Sequence, residues 1–105
     1  MVKILDENLQ FFLNELKKNF GTKVKKIILF GSRARNEYVD ESDYDFIFIF
    51  DKVTPEIKNR LKRLTIEMLI EHGMVITDFA FTEKDLERKK YEPFIMNAAR
   101  EGIVL

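Results

Sequence analysis

Residues 24–50 read VKKIILFGSRARNEYVDESDYDFIFIF, and this stretch decides the fold. It contains two apolar runs, Val24 to Phe30 and Phe46 to Phe50, and both are predicted to be strands, the second starting at Asp43. The second run has no polar alternation, as expected when both faces of a sheet are covered. Residues 36–51 carry six acidic residues and no Lys or Arg, and this acidic block leads directly into the second strand. Such a block usually forms a solvated face, so its position beside a strand that looks buried needs a reason.

The rest of the chain alternates helical and strand patterns, with clear start and stop signals. The predicted elements are a helix over residues 9–20 ended by Gly21, a short helix after Ser32, a helix from Thr54-Pro55 to Gly73, a strand from Met74 to Phe81, a helix capped by Thr82 and Asp85, and a last helix from Pro93 to Arg100. This order predicts an α/β fold with a small mixed β-sheet packed with helices. No repeat or linker is visible, so residues 1–105 are expected to form a single domain.

Composition excludes several classes of protein. The chain has 105 residues, 46% of them hydrophobic, which is enough for one compact core. It has no cysteine and a net charge of zero, so disulfides and thiolate metal sites are excluded and a nucleic-acid coating role is not expected. The apolar runs are too short to span a bilayer and no signal pattern is present, so a cytoplasmic protein without membrane attachment is expected.

Gly31-Ser32 follows the first predicted strand directly. Glycine permits a tight turn and close backbone approach, and Ser32 can cap a short helix whose exposed N–H groups would bind phosphate. The dipeptide alone favours an ordinary strand-to-helix turn, because such turns are common.

Asp43 and Asp45 are stronger evidence of a site. Residues i and i+2 of a strand point to the same face, which places the two carboxylates side by side, roughly 6–7 Å apart at Cα. Their repulsion in a partly buried place is relieved by a divalent cation, and oxygen ligands at this spacing suit magnesium. The alternative is an exposed strand start whose carboxylates pair with nearby lysines.

Asp78 lies in the middle of the third predicted strand, between Val75-Ile76-Thr77 and Phe79-Ala80-Phe81. A carboxylate there is costly unless it is paired or bound to metal. If the third strand lies beside the second, Asp78 can converge with Asp43 and Asp45. The alternative is an isolated aspartate on an edge strand.

Competing motifs are absent. The residues after Asp45 are apolar, so an EF-hand loop is excluded, and Gly31-Ser32 is not followed by the lysine of a P-loop. There is no Gly-x-Gly-x-x-Gly fingerprint for a dinucleotide. His72 is the single histidine, and its place in the last turn before Gly73 favours a structural role.

Together these residues resemble the minimal nucleotidyltransferases, the small members of the DNA polymerase β-like superfamily. The motif of that family is Gly-Ser, ten residues, then Asp-x-Asp, and Gly31-Ser32 with Asp43-Tyr44-Asp45 match it without a gap. The string Gly31 to Arg35 and the ending Glu101 to Leu105 are also similar to the family. By its strand position, Asp78 corresponds to the third carboxylate of the family.

The resemblance implies transfer of a nucleoside monophosphate from ATP or another nucleoside triphosphate to a hydroxyl, with release of pyrophosphate. Gly31 and Ser32 would then hold the phosphates, with help from Arg33 and, less directly, Arg35. The three aspartates would be catalytic and bind Mg²⁺, two ions in the fullest form, with Asp78 accepting the proton of the hydroxyl.

The resemblance also implies a biological role. Minimal nucleotidyltransferases of this kind are similar to antitoxins that transfer AMP to a tyrosine of a HEPN-domain ribonuclease toxin, and such a toxin is the expected partner. Two alternatives stay open: an antitoxin that acts by contact alone with a vestigial nucleotide site, and nucleotidyl transfer to a small molecule such as an aminoglycoside. Homo-oligomerisation and the preferred base are left open by the sequence.

Overall fold

The computed structural model describes residues 6–35 and 43–105, which form a mixed sheet with helices on both faces. The elements are α1 (Glu7–Phe20), a 3-10 turn (Gly21–Lys23), β1 (Val24–Phe30), β2 (Tyr44–Phe50), α2 (Pro55–His72), β3 (Ile76–Phe81), α3 (Glu83–Arg88), α4 (Pro93–Glu101) and β4 (Ile103–Val104). The strand order is β3-β2-β1-β4, with β2 and β3 parallel and β1 antiparallel to both of its neighbours. The predicted α/β class with a small mixed sheet is confirmed.

Both ends of α2 and the start of α3 lie where the sequence predicts them. The Thr54 hydroxyl accepts a hydrogen bond from the Ile57 N–H at 3.1 Å, and α2 ends at Gly73 in the left-handed conformation. Thr82 and Asp85 form the capping box of α3. Each of these contacts satisfies backbone groups that a helix end leaves open, which is why a few polar residues and glycines fix the element boundaries. None of the helices found within the described ranges is long and apolar enough to cross a bilayer.

The core is built on both faces of β2, which is buried along almost its whole length. Phe46, Phe48 and Phe50 face α1 and α2, whereas Ile47 and Ile49 pack against α3 and α4. Alternate side chains of a strand point to opposite faces, so a strand covered on both sides must be apolar throughout. The continuous apolar run in the sequence is therefore the centre of the molecule.

Phe48→Ala is expected to lower the free energy of unfolding by about 3–5 kcal/mol, because it empties a large core volume. The Phe48 ring is fully buried and lies 5.3 Å from the Phe46 ring centroid and 6.1 Å from that of Phe12. Chemical denaturation followed by circular dichroism measures the loss. Phe11→Ala makes the same change at an exposed position on α1 and should cost at most about 1 kcal/mol. Equal losses for the two variants would contradict this account of the core.

Two details differ from the sequence prediction. The predicted short helix after Ser32 is a turn in which the N–H groups of Ala34 and Arg35 both donate to the Gly31 carbonyl, at 3.1 and 3.2 Å. The strand β4 was not predicted, because two residues are too few to show any periodicity. β2 and β3 begin at Tyr44 and Ile76, slightly later than expected.

Candidate active site

The turn after β1 is built around Gly31, which has a φ of +76°. A Cβ atom at this position would overlap the Asp45 carboxylate and lie 3.2 Å from its Cγ. Glycine is therefore needed for two reasons: the backbone is in a conformation that other residues rarely adopt, and a carboxylate fills the space of the side chain. The tight turn that glycine permits is present at Gly31, and the group that lies against it is the Asp45 carboxylate. Ser32 is partly exposed and follows Gly31 in the turn.

Asp45 and Asp43 interact with one another at the start of β2. Asp43 is exposed just before the strand, and Asp45 is partly buried opposite Phe30 of β1. Burial and the neighbouring Asp43 charge raise the pKa of Asp45, while a hydrogen bond from the Thr77 hydroxyl and the Arg35 charge partly offset the rise. Two neighbouring carboxylates that repel each other are suited to binding a hard divalent cation such as magnesium. The cation removes the repulsion and prefers oxygen ligands.

Thr77 is a site residue that the sequence analysis missed. Parallel strands place residues of the same register on the same face, and Thr77 of β3 is paired with Asp45 of β2. The Thr77 hydroxyl is close enough to the Asp45 carboxylate to lower the pKa of that group, which partly offsets the effect of burial. The available signal was the alternation along β3, which puts Thr77 and Asp78 on opposite faces.

The structure does not bring Asp78 to the other two aspartates. Asp78 is paired in register with Phe46, so its side chain lies on the face of the sheet covered by α2. There its carboxylate is 3.3 Å from the Lys62 ammonium, and only 14% of the Asp78 side chain is exposed. The predicted convergence of Asp78 with Asp43 and Asp45 is therefore wrong. It would require Asp78 to pair with Asp45, but in the observed register Thr77 pairs with Asp45 and Asp78 with Phe46. Within the described ranges, no three carboxylate or imidazole side chains are grouped as a metal site.

Arg33 also lies on the opposite face from the carboxylate pair. Its guanidinium lies 4.0 Å from the centre of the Tyr44 ring and 3.4 Å from the Asp6 carboxylate, and its side chain is 8% exposed. The Tyr44 hydroxyl donates to Asp6 as well. This arrangement fastens the turn to the start of α1, and it does not support the predicted phosphate-binding role of Arg33.

Arg35 is the arginine on the carboxylate side of the turn. Its charge lowers the pKa of Asp45, and its Nη1 donates to Glu101 Oε2 at 2.9 Å. The turn therefore presents a positive group beside a pair of negative ones. This is the charge pattern that a triphosphate with its cation requires.

The model of the nucleotidyltransferase domain family matches residues 9–103, almost the whole chain. The chain belongs to this family. A Methanocaldococcus jannaschii relative named "putative protein adenylyltransferase" is 35% identical over 94 residues, which cover 90% of each chain. A second relative of that organism, with the same name, is 32% identical over 96 residues, which cover 89% of this chain and 65% of its own.

The fold of this nucleotidyltransferase domain is also found in a solved toxin–antitoxin structure with AMP-PNP. The two chains superpose with a TM-score of 0.64 at 16% identity, covering 90% of this chain and 70% of the other. At that identity the similarity concerns the fold alone. The turn at Gly31 and the aspartates of β2 lie inside the region matched by the family, so the described geometry belongs to a nucleotidyltransferase core.

Proposed function

We propose that this domain transfers a nucleoside monophosphate, AMP when ATP is the donor, to a hydroxyl of another protein and releases pyrophosphate. The observation that carries the proposal is the packing of the Asp45 carboxylate, coupled to Asp43, directly against the glycine of the Gly31-Ser32 turn. This packing joins a cation-binding pair to a turn that can bind phosphate, which is what nucleotidyl transfer needs in one place.

Asp43 and Asp45 would hold Mg²⁺. When bound, the ion neutralises triphosphate charge and stabilises the oxygens of an in-line displacement. The form with two ions implied by the resemblance relied on Asp78, which lies on the other face of the sheet with Lys62. The proposal therefore rests on the pair Asp43–Asp45 and does not use Asp78.

The other residues of the site have distinct roles in this proposal. The Gly31-Ser32 backbone and the Ser32 hydroxyl bind the phosphates, and Arg35 supplies positive charge. Thr77 orients the Asp45 carboxylate through its hydroxyl. The proton of the acceptor hydroxyl passes to a carboxylate of the pair or to water. The bond that forms joins the acceptor oxygen to the α-phosphorus, and the bond that breaks releases pyrophosphate.

For the acceptor, we propose a tyrosine of a HEPN-domain ribonuclease toxin, which makes this chain an antitoxin. Two observations support the proposal: the relatives named for adenylyl transfer to protein, and the likeness of the fold to a chain of a toxin–antitoxin complex. The motif formed by Gly31-Ser32 and Asp43-Tyr44-Asp45 also supports the antitoxin role, because it is the motif on which the resemblance to minimal nucleotidyltransferases rests.

Incubation with magnesium, α-phosphate-labelled ATP and lysate of the source organism tests the proposed transfer. We expect label on one protein band, and no label with Asp43→Asn or without magnesium. Mass spectrometry of that band should find AMP on a tyrosine of a HEPN-domain protein. Absence of labelled protein, with normal triphosphate binding, would contradict a protein acceptor.

One observation favours a second candidate, an antitoxin that acts by contact alone. In the described residues the structure brings two carboxylates together, not the three that the resemblance implies. A contact inhibitor would still neutralise the toxin after Asp43→Asn and Asp45→Asn, whereas an AMP-transferring antitoxin would not. Co-expression of each variant with the toxin, followed by growth, separates the two.

A further inference from the structure

The last residues of the chain lie beside the site, although they are far from it in sequence. β4 runs antiparallel to β1, with Ile103 opposite Leu29 and Val104 opposite Ile28. The Leu105 N–H donates to the Ile27 carbonyl at 2.9 Å. This tail is thus fastened along the strand that leads into the Gly31 turn.

Gly102 fixes where α4 ends relative to β1. Its N–H donates to the Ala98 carbonyl at 2.7 Å, and a Cβ at this position would be 2.6 Å from Ile28 Cγ2. The backbone of the tail can therefore approach β1 closely only without a side chain at this residue. This close packing sets the position of Glu101, the residue just before it.

Glu101 contacts the turn through Arg35. The Arg35 Nη1 donates to Glu101 Oε2 at 2.9 Å, with 39% and 29% of the two side chains exposed. The Arg35 N–H also donates to the Gly31 carbonyl at 3.2 Å, so this arginine closes the turn that Gly31 begins.

We propose that Glu101 is a positioning residue that holds the Arg35 guanidinium at the edge of the Gly31 turn, ready for the triphosphate. It acts through Arg35 and does not touch the nucleotide. A partly exposed ion pair adds little to stability, whereas fixing a long arginine side chain in advance reduces the entropy lost when phosphate binds. This inference rests on the proposed nucleotidyl transfer.

The test compares Glu101→Gln with Glu56→Gln, which changes a Glu–Arg pair of α2 at the other end of β2. We expect the Kd of a non-hydrolysable ATP analogue and the KM for ATP to rise about 5- to 10-fold in Glu101→Gln. The kcat should stay within about twofold and the Tm unchanged, because Arg35 is still present. Glu56→Gln should bind the analogue as the wild type does.

A double-mutant cycle adds the decisive comparison. If Glu101 acts through Arg35, the variant Arg35→Ala/Glu101→Gln loses no more affinity than Arg35→Ala. An unchanged Kd in Glu101→Gln, or losses that add in full, would overturn the inference while leaving the proposed function intact. Wild-type protein that binds no triphosphate would overturn both.

Discussion

Asp45→Asn is expected to abolish nucleotidyl transfer, by about 10³-fold or more, and to make the metal-free protein more stable. The loss of activity follows because the asparagine amide is a poor ligand for a hard divalent cation and carries no charge. The gain in stability follows because burial and Asp43 raise the pKa of Asp45, so the charged carboxylate is unfavourable in the folded state. Function and stability therefore oppose each other at one side chain.

The predicted gain in stability of Asp45→Asn depends on pH. A raised pKa means that the folded protein binds the Asp45 proton more tightly than the unfolded chain does. This contribution to stability is present below the ordinary aspartate pKa and is lost as the pH rises through the raised value. In EDTA, the Tm of Asp45→Asn should exceed that of the wild type at pH 7, and the difference should shrink as the pH falls towards the ordinary aspartate pKa. A Tm difference between Asp45→Asn and the wild type that does not change with pH would contradict this account, in which the charge of Asp45 destabilises the folded protein.

Asp78→Asn is the matched control, since it removes the same charge on the neighbouring strand. Asp78 lies with Lys62 on the α2 face, so transfer should stay within a few fold of wild type. If Asp78→Asn is as inactive as Asp45→Asn, Asp78 is the third catalytic carboxylate that the resemblance implies. The observed register of β3 would then not describe the active form of the site.

Most of the fold could be predicted because its signals are local. The apolar run of β2 and the caps at Thr54, Gly73 and Thr82 each depend on a few neighbouring residues, and each appears in the structure as expected. The turn at Gly31 belongs to the same class, since the glycine follows the end of β1 directly. Local patterns fix where an element begins, which faces it buries and how it ends.

What could not be predicted depends on how elements pair. A shift of one residue in the register of β3 moves Asp78 from one face of the sheet to the other and puts Thr77 beside Asp45. The direction of Arg33 is set by Tyr44 and Asp6, the second of which lies 27 residues earlier in the chain. Such contacts leave no periodic pattern in the sequence. The motif could therefore name candidate site residues, but only the structure shows which of them lie beside Asp45.

Gly31→Ala is expected to lower kcat/KM by about 10²-fold, because it displaces the Asp45 carboxylate from the turn. The added methyl group would overlap that carboxylate, and a misplacement of about 1 Å can cost two orders of magnitude in rate. The backbone itself adds a stability cost of about 1–2 kcal/mol, since an alanine at a φ of +76° is strained. Transfer assays at saturating magnesium and chemical denaturation measure the two effects separately.

Gly73→Ala separates the contact from the backbone strain. Gly73 has a φ of +64° at the end of α2, and a Cβ built there meets no atom within 4 Å. Both variants should lose a similar amount of stability, but only Gly31→Ala should lose activity. Full activity in Gly31→Ala would mean that Asp45 can move aside at no cost. The close contact between turn and carboxylate would then be a feature of packing, and Asp43 would have to bind the cation without a fixed Asp45.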